Sequence, residues 1–299
     1  MWNKPWKMTE GFLIGGGLLV VGLLLQLVTG PVKWSLFAWP VNLIVFIVFL
    51  LVIVLMYLLR RKVYVFGWMM HLQAAVPALC FALILTIVMG LIPQTRGNDG
   101  PWLSRMLSFW PLVLSYVWVC LISGLTTLNH LKRFSWKEIP FLLNHLGVFL
   151  AIVSATLGHA DMKQLQMTAY YDTPEWRAID SEGKEYEPGL AIVLHEFSVD
   201  YYEDMTPRRF ASDISVYTED QKSLRGVVEV NKPLMVNGWK IYQYGYDTAR
   251  GNRSNYSVFS LVRDPWLPLV YAGIFMMLAG AVCLFLFMAP KPRKKEEML

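Results

Sequence analysis

Cysteine is scarce: the 299 residues hold three, Cys80, Cys120 and Cys283, each inside an apolar run. No CxxC pair and no cysteine–histidine spacing of a zinc site occurs. Thiol redox chemistry and a structural zinc centre therefore have no support, and the three thiols read as small buried hydrophobes. Charge is sparse too, at 16% of residues, and it is unevenly spread. Residues 159–264 hold 17 acidic and 12 basic side chains, whereas the rest of the chain holds 5 acidic and 15 basic. An acidic globular part and basic flanks are separate physical objects. The flanks suit a lipid surface, and nothing points to nucleic acid. Internal repeats and low-complexity tracts are lacking. No cleaved signal peptide is expected, because the first apolar run is long and no small-residue cleavage site follows it.

What is abundant is apolar residues, 55% of the chain, with a mean hydropathy of +0.41. That is a membrane protein with a water-exposed part. A hydrocarbon core of roughly 30 Å needs about 20 apolar residues in a helix. Six segments qualify: about 11–30, 39–59, 70–92, 107–128, 139–158 and 266–289. Lysine and arginine in short loops set the orientation. One side receives Lys4, Lys7, Arg60, Arg61, Lys62, Lys132, Arg133, Lys137, Lys291, Arg293, Lys294 and Lys295, and the other only Lys33, Arg96 and Arg105. Both termini are expected to be cytoplasmic, with residues 159–264 across the membrane.

That far-side segment reads as β. The stretches "AIVLHEFSVDYY", "DISVYTED", "RGVVEV", "GWKIYQYGYD" and "YSVFSLVRD" are short and rich in β-branched and aromatic residues. Asn237-Gly238 is a favourable hairpin turn, since both residues tolerate positive φ. Residues 172–189 read as a surface loop. The whole is long enough for one small sandwich-like domain.

Histidine supplies the candidate chemistry. His145 lies about six residues into the fifth apolar segment, roughly 9 Å from its start. His71 opens the third segment and His130 closes the fourth, on the same side. His159 ends the fifth, roughly 21 Å along the axis from His145, and His195 is in the β segment. An ionisable ring inside a membrane helix marks a functional site, and neutral imidazole is a good iron ligand. The plainer alternative is that His145 hydrogen-bonds within the bundle, through Asn144 or a backbone carbonyl. His71 and His130 read as interface residues. On the same helix Gly147, Ala151, Ser154 and Gly158 form a small-residue stripe, about 200° round from His145 at its nearest member. One face is thus expected to pack internally while His145 points elsewhere. His195 beside Glu196 reads as a solvated strand position, and the alternating Tyr242, Tyr244 and Tyr246 as sheet packing or an aromatic docking face.

The order "LAIVLHEFSVDYYED", "FASDISVYTED", "VEVNKPLMVNGWKIYQYGYD", then "RDPWLPLVYAGIFMMLAG", preceded by "NHLGVFLAIVSATLG", resembles the ResB/CcsB family of cytochrome c biogenesis proteins over about residues 139–288. The most specific part is "VNKPL…GWKIYQYGYD" followed by "DPWLPLVYAG". Hydropathy and loop charge give six transmembrane α-helices with an extracytoplasmic all-β, sandwich-like domain inserted between helices 5 and 6, and the resemblance implies the β domain and the helices that flank it. The expected divisions are 1–158, 159–264 and 265–299. It implies a subunit in the bacterial inner membrane that works with a CcsA-type partner, takes haem b across the bilayer and presents it for attachment to apocytochrome c. The chain is at most a subunit of such a synthase complex. By the same resemblance His145 is the candidate haem-iron ligand, with His71 and His130 as weaker candidates and Arg60, Arg61, Lys132 or Arg133 near the propionates. The partner's tryptophan-rich haem motif is absent. Relatives have three helices before the β domain, against five here. The alternative from another class is a non-catalytic membrane assembly or sensor subunit whose β domain binds other proteins.

Overall fold

The computed structural model describes residues 2–94, 101–132 and 134–287. Of the cations counted above, Arg96, Arg133, Lys291, Arg293, Lys294 and Lys295 lie outside the described residues. The chain forms two compact units. One runs Asp161–Pro265; the other takes in the helices up to Ala160 and from Trp266 onward.

Among the described residues of the helical unit, six helices are long and apolar enough to cross a membrane. They are α1 (Met8–Thr29), α2 (Val41–Leu59), α4 (Leu72–Leu91), α5 (Trp110–Leu131), α6 (Ile139–Gly158) and α7 (Leu267–Phe287), with a single-turn α3 (Tyr64–Trp68) after α2. Their ends follow local chemistry. The Glu10 carboxylate accepts the Lys7 backbone N–H at 2.8 Å at the start of α1, and Gly30, at φ +71°, ends that helix. Proline stands in the first turn of α5 and of α6, where its missing N–H is not needed. Most large apolar side chains of α1, α2, α4 and α7 face outward, as lipid-facing helices require.

Few polar groups lie inside the bundle, and those tie helix ends together. Gln26 Oε1 accepts the N–H of Trp110, the first residue of α5, at 3.2 Å, and Asn42 Nδ2 donates to the Leu157 carbonyl near the end of α6 at 3.3 Å. Both satisfy backbone groups a helix terminus leaves unpaired. The small-residue stripe of α6 packs on α7, as its spacing predicts. A Cβ on Gly147 would come within 2.7 Å of the Gly273 carbonyl, and one on Gly273 within 2.6 Å of the Ala151 nitrogen. Glycine on both helices is what permits this approach.

In the other unit every paired strand runs antiparallel to its neighbour, with one isolated parallel bridge between Tyr171 and Leu194. Nine strands form a six-stranded sheet, in the order β3-β2-β1-β9-β8-β7, and a three-stranded sheet, β4-β5-β6. The strands are β1 (Lys163–Tyr170), β2 (Ala178–Ile179), β3 (Glu185–Tyr186), β4 (Leu190–Tyr201), β5 (Pro207–Thr218), β6 (Ser223–Glu229), β7 (Leu234–Val236), β8 (Trp239–Tyr246) and β9 (Tyr256–Arg263). One apolar core draws on both sheets, with Met167, Ile241, Phe259 and Leu261 from one and Ile192, Leu194, Ile214 and Val216 from the other. β1 pairs with β9 along its full length, Lys163 opposite Arg263. The chain therefore enters and leaves this unit on neighbouring strands. Asn237 and Gly238, at φ +47° and +81°, make the expected two-residue turn between β7 and β8.

Two expectations need correction. The stretch 172–189 is not wholly loop: β2 and β3 form a tiny hairpin closed by the Asp180 side chain, which accepts the Glu182 and Lys184 N–H groups at 2.9 Å. Ala178 enters the core. Two-residue strands are too brief to leave an alternating pattern. The three tyrosines of β8 do not share a face. A register shift between Gln243 and Gly245 makes Tyr244 the extra residue, so Tyr246 swings to the other side and stacks on Phe197 and Phe210, centroids 4.9 and 5.3 Å away.

Candidate functional site

α6 carries two opposed faces. One holds Gly147 and meets α7; the other holds His145. Ser123 on α5 donates to the His145 carbonyl at 2.6 Å, which fixes the height of α6 against α5. The imidazole itself is half-buried. Its Nδ1 lies 3.0 Å from the Phe141 carbonyl one turn earlier on the same helix. A carbonyl can only accept, so Nδ1 carries the proton and Nε2 keeps its lone pair. Among the described residues Nε2 has no hydrogen-bond partner.

The ring plane is set by stacking. Phe141 lies against His145 with centroids 3.9 Å apart and planes 23° from parallel. Phe141 also lies 4.0 Å from the His130 ring. Two rings at that distance must take opposite faces, so one phenyl is held between two imidazoles. His130 is anchored in turn by Glu138, Nδ1 to Oε2 at 2.7 Å. The structure thus brings together His145 and His130.

His71 stands apart. It is exposed, precedes the first turn of α4, and donates its backbone N–H to the Trp68 carbonyl. It borders a different cavity, shared with Arg60 and Arg61. Of the cations expected near an anionic ligand of His145, Lys132 follows α5 two residues after His130, whereas Arg60 and Arg61 line that other cavity. His159 ends α6 and meets Trp34 edge-on at 6.1 Å.

Beside His145 a groove of about 150 Å³ runs between α4, α5 and α6, walled by Ala78, Val119, Ile122, Ser123 and Val148. Pockets that engulf a drug-sized ligand measure about 300–1,000 Å³. This groove therefore fits one edge or face of a flat apolar ligand, not the whole of it. The donor set, one neutral imidazole nitrogen in an apolar wall, suits an axial iron ligand. Among the described residues no group of three or more histidine, cysteine or carboxylate side chains is placed to hold a bare metal ion.

Sequence reasoning missed a cluster in the β unit. His195 is a partly exposed strand residue, as expected, but it also has partners that the sequence did not show. It is the extra residue at a register shift in β4; its Nε2 lies 2.7 Å from Ser215 Oγ and its Nδ1 3.7 Å from Asp172 Oδ1. The order serine, histidine, aspartate invites a hydrolase reading. Yet Ser215 is buried in the middle of β5, the central strand of its sheet, whose backbone N–H groups are engaged by β4 and β6. The amides beside that hydroxyl are thus spent in the sheet and do not form an oxyanion hole. Nearby, Arg225 holds Asp213 through bonds of 2.6 and 3.2 Å, which keep that carboxyl below its ordinary range.

Residues 132–254 match the model of the ResB-like family. The matched segment begins at the end of α5 and stops before β9. It contains His145 and "VNKPL…GWKIYQYGYD", while the four membrane helices before α6, and α7 with its "DPWLPLVYAG" approach, lie outside it. No curated protein matches the chain. The ResB-like segment implies involvement in cytochrome c biogenesis, within a membrane complex.

Proposed function

We propose that the chain is a cytochrome c maturation subunit of a bacterial inner membrane which, with a CcsA-type partner, takes haem b across the bilayer and presents it for covalent attachment to apocytochrome c. The observation that carries this reading is His145: a ring locked as the Nδ1–H tautomer, its Nε2 unpaired, beside an open apolar groove and inside the ResB-like segment. His145 would hold the iron from one side, and Val119, Ile122 and Val148 would meet the macrocycle edge. The groove is too small to enclose haem, so the partner would supply the remaining wall. The bias of lysine and arginine supports cytoplasmic termini and an extracytoplasmic β unit.

Haem supplies two vinyl groups to which the client's thiols add. All three cysteines of this chain lie in membrane helices, so its own part is to bind and orient. Phe141 fixes the ring plane, the Phe141 carbonyl fixes the tautomer, and Ser123 fixes the height of α6.

The test is purification of the chain alone and with a CcsA-type partner, followed by absorption spectroscopy. A Soret band is expected with the partner, weakened in His145→Gly and restored by added imidazole. Colourless preparations of both forms, with cytochrome c maturing normally in cells that lack this chain, would sink the haem reading and favour the assembly-subunit alternative.

A further inference from the structure

A second cavity, of about 540 Å³, opens where the chain before α1 meets the end of α2, α3 and the start of α4. It shares no lining residue with the His145 groove. Lys4, Arg60, Arg61, Lys62 and His71 border it, and no carboxylate does. Among the described residues none of these four cations forms an ion pair.

The walls are built rather than incidental. Tyr64 Oη accepts the Trp6 backbone N–H at 2.9 Å, so its own proton remains to be donated. Trp6 packs edge-on against Tyr64 and Trp68, at 5.3 and 5.4 Å, which pins the chain before α1 over α3. Lys4 Nζ sits 4.6 Å from the Tyr64 ring centre. Arg60 stacks on Tyr57 at 3.7 Å and stays at the cavity edge. Trp68 also borders the cavity, is 3% exposed, and its indole N–H has no acceptor among the described residues. Unpaired cations and a phenol proton make the polar lining rich in donors, with the Gln73 amide and the His71 imidazole beside them. Such a lining calls for an anion with several oxygens.

Its level in the fold narrows the anion. Trp2, Trp6, Tyr57, Tyr64 and Trp68 gather at the ends of membrane helices, as aromatic side chains do at headgroup depth. Below them α1 and α4 turn Leu13 and Leu72 outward, 41 and 72% exposed, as apolar surface for acyl chains. We infer that this cavity binds the phosphate group of an anionic phospholipid, with Arg61, Lys62 and Lys4 as counter-ions and Tyr64 as a neutral donor. Basic pockets between helix ends take such headgroups. This inference does not depend on the haem reading.

The test uses the full chain, delipidated in a neutral detergent. Phosphatidylglycerol, phosphatidylcholine or inorganic phosphate is added; melting temperature is measured, and bound lipid is counted by native mass spectrometry. Phosphatidylglycerol is expected to raise the melting temperature and remain bound, with phosphatidylcholine and inorganic phosphate doing neither. Retention should fall at least about ten-fold in the double variant Arg61→Gln, Lys62→Gln, which removes two interfacial cations. It should be unchanged in Lys137→Gln, which lies outside the cavity. Lys4→Gln removes a third lining cation at an exposed position, so it should retain less lipid at an unchanged melting temperature in phosphatidylcholine. Protection by inorganic phosphate alone would assign a soluble phosphate and overturn the lipid source. Equal retention of both lipids, or of phosphatidylglycerol by wild type and both cavity variants, would overturn the site.

Discussion

Replacing Gly147 by alanine tests whether α6 and α7 are held by glycine-permitted contact. The added Cβ would lie 2.7 Å from the Gly273 carbonyl oxygen, 2.8 Å from Met277 Cγ and 2.9 Å from the Met277 nitrogen, where ordinary contact begins at 3.4 Å. Two of these atoms are backbone, so no side chain can turn aside, and α7 must retreat by about 0.7 Å. Overpacking of this kind costs about 1–3 kcal/mol, against which alanine gains up to about 1 kcal/mol of helix propensity over glycine. Gly16→Ala on α1 is the control: nothing lies within 4 Å of its Cβ position, so only the propensity gain applies. The two variants should therefore differ by about 1–3 kcal/mol, or about 5- to 150-fold in the folding equilibrium. SDS-driven unfolding in mixed micelles, followed by tryptophan fluorescence, reads that difference. A Gly147→Ala protein as stable as Gly16→Ala would refute the packing.

His145→Ala should lower c-type cytochrome in cells far more than His71→Ala, because only His145 borders the α4–α5–α6 groove; equal losses would contradict that ranking. Tyr246→Ala should destabilise the β unit by about 1–3 kcal/mol through two lost aromatic contacts. Tyr244→Ala, at a position 62% exposed, should leave its melting unchanged by circular dichroism. The Arg225–Asp213 pair should contribute at neutral pH and not in acid. Asp213 has a folded pKa held below its unfolded value of about 3.9, so its contribution is present above that pH and is lost as pH falls through the lower folded value. Arg225→Gln should accordingly lower the melting temperature slightly at pH near 7 and by progressively less as pH falls below about 3.9, the effect being small because the arginine is largely exposed.

The helices were legible because lipid leaves little choice: a run of about 20 apolar residues has no other stable form in hydrocarbon. All six appear, and the stripe at Gly147 and Gly158 found its partners. The β strands rich in valine, isoleucine and tyrosine were equally plain. β1 was not, because "KQLQMTAY" buries Leu165, Met167 and Ala169, residues without β preference, and its pairing with β9 spans the whole unit. Register was the other blind spot. One extra residue in β8 reversed Tyr246, and one in β4 turned His195 toward Ser215; neither bulge leaves a mark in composition. At the candidate site the depth of His145 was readable from spacing. Its stacking on Phe141 follows from an i, i+4 relation on one helix, and a signal for it stood in the sequence. The approach of His130 to the other face of Phe141 is tertiary and did not.

The two nitrogens of His145 separate stability from function. A histidine retained only to join helices has both nitrogens satisfied inside the bundle, since an unmet polar atom in an apolar surrounding is costly. Here Nδ1 is satisfied by its own helix, and Ser123 ties α6 to α5 through the backbone, so neither contact between helices needs the imidazole. A leucine would fill the same volume at less cost. What the ring adds is one lone pair beside an open apolar groove, oriented by a phenyl that a second imidazole backs. A fixed acceptor that meets no acid or hydroxyl among the described residues is suited to a Lewis acid brought from outside the chain.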